Sequence, residues 1–145
     1  MKIRLIFIGL FFSQLLLAQT TNSDLILLQK HPKKDTTRCF LLNKIIEAEN
    51  DHNIWIKYNQ ELQKIALDNL QKENNKTLKN TYTKYLSISY NNDGAYELYN
   101  EKYEKAILLY KKSLQTAKSI QFHIGSSLSL QNIGTAFDYL GKIDS

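Results

Sequence analysis

Three histidines, one cysteine, a short acidic cluster and a serine-rich segment are the groups through which this chain could do chemistry. A helical metal site needs ligands one turn apart, and His31, His52 and His123 have no second histidine or cysteine at i+3 or i+4. They read as surface residues in a linker, a turn and a helix start. Glu47, Glu49 and Asp51 gather acidic charge near a helix end, the usual makeup of a solvated turn. The serines of Gly125-Ser-Ser-Leu-Ser lack the strand–turn–helix setting that exposes a nucleophile, and no glycine-rich phosphate loop occurs. Cys39 lies in the apolar stretch Arg38-Cys-Phe-Leu-Leu, where a buried, inert thiol is expected rather than a reactive one. The expectation is therefore a protein that is not an enzyme and takes no metal or cofactor.

Binding is the positive alternative, and its candidates recur at a fixed interval. Asn91 pairs with Gln131, Asn92 with Asn132, and Tyr99 with Tyr139, each forty residues on. An amide can donate to and accept from an extended peptide backbone. A tyrosine offers rigid area with a polar tip. The competing reading has the amides capping neighbouring helices and the tyrosines filling a core.

These residues belong to a longer recurrence. Sliding the sequence by 40 aligns Ser87, Ser89, Asn92, Gly94, Tyr99 and Lys102 with Ser127, Ser129, Asn132, Gly134, Tyr139 and Lys142, six identities in 21 pairs. A period of this length means stacked helical hairpins. Between the copies, Tyr103, Ala106, Ile107, Tyr110, Ser113, Leu114 and Ala117 fall on one side of a helix, with lysines and glutamates opposite. The flanking helices are predicted over about 78–99 and 122–140. Gly94 and Ala106 should mark the close approach within a hairpin, with Tyr110 and Leu114 filling the space between hairpins. By the same register Gly134→Leu should overpack the last hairpin. Two positions break the pattern: Asp93 stands where the second copy has Ile133, and Glu101 where it has Gly141. Asn91-Asn92-Asp93-Gly94 is also a turn signal in its own right, so a loop there followed by one long helix from Ala95 to Lys118 is the alternative.

Asn92-x-Gly94, Lys102-Tyr103-x-x-Ala106-Ile107 and Tyr110, with Asn132-Ile133-Gly134-x-x-Phe137-x-x-x-Gly141-Lys142 repeating the frame, resemble the tetratricopeptide repeat in a forty-residue spacing. The resemblance covers about 60 residues, 85–145. It implies an all-α, right-handed superhelical stack of about three antiparallel helix pairs, the last incomplete. It further implies that Asn92 and Asn132 contact a peptide or protein partner in a concave groove. The lysine-rich carboxylate clamp of chaperone-binding members is missing. The segment Lys34-Asp35-Thr36 before a degenerate hairpin also resembles the sensory front of membrane-bound signalling proteins with a histidine kinase or transcriptional output, which is the rival reading.

The rest of the chain fits around this unit. Lys2 and Arg4, an apolar run from Leu5 to Leu17 and Ala18 make residues 1–18 a secretory signal peptide, too short for a spanning helix; an uncleaved anchor is the alternative. Cleavage leaves 17 basic against 14 acidic residues, a net charge of +3. That balance, with lysines interleaved among acids, gives no footprint for nucleic acid. One cysteine permits no internal disulfide, so stability outside the cytoplasm, in a periplasm, must come from packing. Residues 19–34 read as a linker with an apolar knot at Leu25–Leu28, able to form a short covering helix. Residues 35–74 form a degenerate hairpin in which Asp35 caps the first helix, with Phe40, Leu41, Ile45 and Ala48 inward. Trp55, Tyr58, Leu62, Ile65 and Ala66 form the face of the second. Residues 75–120 and 121–145 are the two repeats.

Overall fold

The computed structural model describes residues 22–143, and these are all-helical, with no strand among them. Six helices follow in order: α1 (22–30), α2 (Thr36–Ala48), α3 (His52–Leu70), α4 (Lys76–Tyr99), α5 (Tyr103–Ser119) and α6 (His123–Ile143). The signal-peptide expectation for 1–18 lies outside the described residues. No described helix is long and apolar enough to cross a membrane.

Side-chain caps start the first long helices. Asp35 accepts from the backbone N–H groups of Thr37 and Arg38 at 3.0 and 3.1 Å, and Asp51 and Asn75 do the same work for α3 and α4. Asp35 also accepts from His31 Nε2 at 2.8 Å, four residues back. Burial opposes its ionisation, but the bonds from His31 and the Arg38 backbone hold its carboxyl below the ordinary carboxylate range.

The turns after α4 and α5 are built alike. Lys102 N–H reaches Glu97 C=O at 2.9 Å and Glu101 N–H reaches Leu98 C=O at 3.0 Å; Phe122 to Ala117 and Gln121 to Lys118 repeat the pair at 2.9 and 3.1 Å. Both are Schellman ends, which require a left-handed residue, and Glu101 (φ 60°) and Gln121 (φ 58°) adopt it without being glycine. The helix break therefore falls at 100–102. Residues 91–94 are helical, so neither the loop there nor the single helix from Ala95 to Lys118 occurs.

Each helix from α2 to α6 packs chiefly on its chain neighbours. In addition α4 touches both α2 and α6, whereas α3 and α5 are not in contact and border a common cleft with α4. One core joins Leu28 of α1 to Cys39, Leu42, Ile45, Leu62 and Ile65. Burial, with Asp35 nearby, pushes the Cys39 thiol up to about 12, far from a reactive thiolate. Phe40 departs from expectation: it faces outward beneath Lys44 Nζ, because Cys39, Leu42 and Ile46 take the inward positions beside Leu41 and Ile45. Residues 22–34 hold the short covering helix that the apolar knot at Leu25–Leu28 allowed. Arg38 binds the carbonyls of Leu28 and His31 and, at 2.7 Å, Glu61 of α3, while Lys44 bonds the buried Asp24 at 2.8 Å, so α1 is pinned to α2 and α3.

A second core holds Ala106, Ile107, Tyr110 and Ala136, with Leu98, Ile133 and Leu140 packed against it. The Tyr110 ring lies where a Cβ on Gly94 would sit, 2.6 Å from that position. Gly134 is different: a Cβ there would meet nothing within 4 Å, so the expected overpacking does not arise. The physical reason is that no described helix returns along that side of α6, as α5 does along α4.

The two glycines therefore respond oppositely. Gly94→Ala is expected to destabilise the fold by about 1–3 kcal/mol, because the buried ring cannot retreat. Gly134→Leu should leave stability unchanged or raise it by up to about 1 kcal/mol, the gain in helix propensity. Urea unfolding of the two variants measures both; equal losses would contradict the packing described.

Candidate functional site

Between α2, α4 and α6 lies an apolar hollow of about 260 Å³. Asn43 and Glu47 wall it from α2, Ile88, Asn91 and Asn92 from α4, and Ile124 and Leu128 from α6, with Phe122 at one side. Lys84 Nζ lies 5.3 Å from the centre of the Phe122 ring, so one cation and the Glu47 carboxylate share the rim.

The part of the wall formed by Ser87 and Ser113 is made of small hydroxyls. Ser113 Oγ donates to the Ser87 carbonyl at 2.8 Å and lies 2.8 Å from Ser129 Oγ, while Ser87 Oγ donates back to the Ser113 carbonyl at 3.0 Å. Ser87, Ser113 and Ser129 are all buried. Small side chains let α4, α5 and α6 come close, and hydroxyls returned to carbonyls leave no polar group unpaired.

The sequence-selected amides sit along this seam. Asn132 Nδ2 donates to Asn91 Oδ1 at 3.0 Å, joining α6 to α4, and Asn92 Nδ2 donates to Asn59 Oδ1 at 3.0 Å, joining α4 to α3. Asn91 is 8% exposed, so it presents a tip to the hollow rather than a whole side chain. Each amide has further hydrogen-bonding capacity beyond its one interhelix bond. Gln131 is exposed on α6.

Tyr99 and Tyr139 lie elsewhere. Tyr99 is two turns beyond Asn91, roughly 12 Å along the helix. It stacks on His52 with ring centres 3.8 Å apart, and Tyr139 stacks on Tyr103 at 5.7 Å, with Tyr99, Tyr103 and Tyr139 bordering a second, shallow cleft with Leu98. The structure thus brings together Asn91, Asn92 and Asn132 but places the tyrosines about two turns away, toward the C-terminal ends of α4 and α6. Among the repeat positions, Ala106 and Tyr110 are buried in the second core, Tyr103 carries the Tyr139 stack, and Gly141 has open space at its Cβ position.

Several residues escaped the sequence reading. Asn43 lies on α2, which has no glycine to place it in the forty-residue register, and Glu47, read as part of a solvated turn, also walls the hollow. The most consequential are Asn59 and Gln63 of α3. Asn59 Nδ2 and Gln63 Nε2 each donate to one oxygen of Asp93 at 2.7 Å, so the carboxylate that breaks the repeat pattern is clamped between two amides. Burial raises the Asp93 pKa above its ordinary value, with Glu97 adding to the effect, while the amide bonds and Lys112 oppose it. The polar partner at position 59, in an otherwise apolar helix face, was the available signal.

Among the described residues no three histidine, cysteine or acidic side chains are grouped as a metal site would need. A scan against protein-family models and searches of curated proteins and of solved structures return no match.

The clamp has a pH signature. A carboxyl whose folded pKa lies above its unfolded value binds its proton more tightly when native, so Asp93 favours folding most at low pH. That contribution is lost as pH rises through the folded value. Asp93→Asn removes it, and Gln63 can turn its carbonyl to the new amide. Denaturation of both proteins at pH 4 and pH 7 should show the variant gaining on the parent at the higher pH; a constant difference would contradict the assignment.

Proposed function

We propose that this chain is an exported, non-catalytic interaction module of the tetratricopeptide type. Its helix pairs stack as a right-handed superhelix and hold a peptide or protein segment in the concave groove. The observation that carries this reading is an asymmetry of packing: α4 contacts both α2 and α6, its second neighbours along the chain, beside the apolar hollow, whereas α3 and α5 make no such contact and only border a common cleft with α4. Helices gathered on one side and splayed on the other make a curved stack with a concave inner wall.

The chemistry of the hollow supports a peptide guest. Ile88, Ile124, Leu128 and Phe122 offer an apolar seat for a side chain, and the amides of Asn91 and Asn92 stand beside it for main-chain hydrogen bonds. Such a site binds by shape and hydrogen bonding, without turnover. The basic head at Lys2 and Arg4 and the apolar run to Leu17 support export, and a periplasm is the compartment this reading implies.

Selection of binders from a displayed random-peptide library, followed by NMR titration of the best peptide, tests the proposal. Shifts should gather at Ile88, Asn91, Ile124 and Leu128. Leu128→Glu, at a half-exposed position, should weaken binding at least about tenfold, equal to 1.4 kcal/mol, with the melting temperature unchanged. Shifts confined to α3 and α5, or no selectable peptide, would count against the groove.

A further inference from the structure

Tyr99, Tyr103 and Tyr139 take no part in the hollow, yet three helices bring them together. Tyr99 closes α4, Tyr103 opens α5 and Tyr139 comes from α6. They border one cleft of about 340 Å³, shared with Ala95, Leu98 and Glu101 of the intervening turn. Tyr103 and Tyr139 are nearly parallel, with 6° between the rings. Tyr99 rests one face on His52, and His52 is in turn 5.8 Å from Trp55. His52 does not line the cleft, so Tyr99, 63% exposed, meets the cleft with its remaining surface.

Of the six lining residues, Glu101 alone brings a carboxylate or a base. The bases nearest to it along the chain turn elsewhere: Lys105 Nζ lies 2.7 Å from Glu97 Oε1 and Lys102 Nζ 3.7 Å from Glu97 Oε2. Glu101 therefore keeps an uncompensated negative charge beside rings whose faces are also negative. Elsewhere the molecule answers its own ring faces with cations. Lys44, Lys84, Lys111 and Lys112 set their ammonium groups over Phe40, Phe122, Phe137 and Tyr90, at 5.9, 5.3, 5.9 and 4.1 Å from the ring centres. Among the described residues no lysine lies over Tyr99 or Tyr103.

We propose that this cleft binds a small soluble cation carrying a trimethylammonium group, of the choline class. Such a group spreads its charge over methyls, which the ring faces and the side chains of Ala95 and Leu98 can surround. It has no N–H to leave unpaired, whereas a primary ammonium brings three donors to a site with one carboxylate. The volume lies at the small end of the range for small-molecule sites. None of the groove's residues is involved, so the site stands apart from the peptide reading.

Calorimetric titration of the purified protein with tetramethylammonium and with choline tests the assignment, with circular dichroism melts confirming that each variant is folded. Both cations should saturate one site with a dissociation constant of about 1 mM. The uncharged analogue of choline, in which a tert-butyl group replaces the trimethylammonium, should bind at least about tenfold more weakly. Tyr99→Leu should weaken tetramethylammonium binding about tenfold and Glu101→Gln about threefold. Glu104→Gln, at an exposed carboxylate outside the cleft lining, should leave it unchanged. Phosphatidylcholine vesicles, which display the same group on a lipid, should leave the protein in solution. Titrations with no saturation up to about 100 mM, an uncharged analogue that binds as well as choline, or equal effects of the two glutamine substitutions would overturn the proposal. Capture of the protein by the vesicles, lost in Tyr99→Leu, would overturn the assignment to a soluble cation.

Discussion

The ring of Tyr110 against the backbone of Gly94 sets the spacing on which the rest of the helical array depends. A Cβ at position 94 would lie 2.6 Å from the ring, so α4 and α5 meet at a distance only glycine allows. The ring is 1% exposed and, with Ala106, also contacts the core that receives Ala136 and Ile133 of α6. One residue thus fixes α5 on α4 and α6 on α5. The hollow between α2, α4 and α6 takes its width from that arrangement. Burial also pushes the Tyr110 phenol up to about 12, so the ring stays neutral at any pH at which the fold is used.

Apolar contact alone leaves helices free to slide by a turn; the polar seam gives them a register. Asn59 meets Ser89, Asp93 and Asn92, Asn91 meets Asn132, and Ser113 meets both Ser87 and Ser129. Each bond is buried or nearly so, and a one-turn slip would leave several such groups unpaired, at about 1–3 kcal/mol apiece. The seam runs beside the candidate groove, so the side chains nearest a guest are also the ones that hold the helices in step. That dual position gives the asparagines a structural duty whether or not a guest is bound.

Helix positions were legible in the sequence because they follow from local chemistry. Asp35 announces its cap, the charged face of 103–118 announces its orientation, and the forty-residue register marks Gly94 as a close approach, although Tyr110, expected between hairpins, is the residue that fills it from within the α4–α5 hairpin. What the register could not carry was anything set by the neighbour of a given copy. Gly134 shares the register of Gly94 but has no described helix beside it, so identical residues have different surroundings. Asp93 read only as a break in the pattern, at the place of Ile133, because its two amide partners lie 30 and 34 residues earlier, on α3. The Asn-Asn-Asp-Gly turn signal failed for the same reason: the side chains of Asn91, Asn92 and Asp93 are engaged by α6 and α3, Gly94 receives Tyr110 of α5, and the helix runs through them. Glu101 and Gln121 hold the left-handed turn conformation that usually favours glycine, while Gly141, the register partner of Glu101, lies within α6; two backbone bonds at each helix end outweigh the strain of about 1–2 kcal/mol. The walls contributed by Asn43 and Glu47 were invisible because α2 shares no spacing with the clear repeats.

The contact between Gly94 and Tyr110 is the point at which the account is most exposed, and a double-mutant cycle measures it directly. Gly94→Ala, Tyr110→Leu and the pair are compared by equilibrium unfolding. If the ring is what excludes a Cβ, the alanine should cost at least about 1 kcal/mol less once the ring is gone, an interaction energy typical of residues in contact. Strict additivity of the two substitutions, within about 0.3 kcal/mol, would show that the ring and the glycine do not constrain one another, contradicting the packing on which the groove depends.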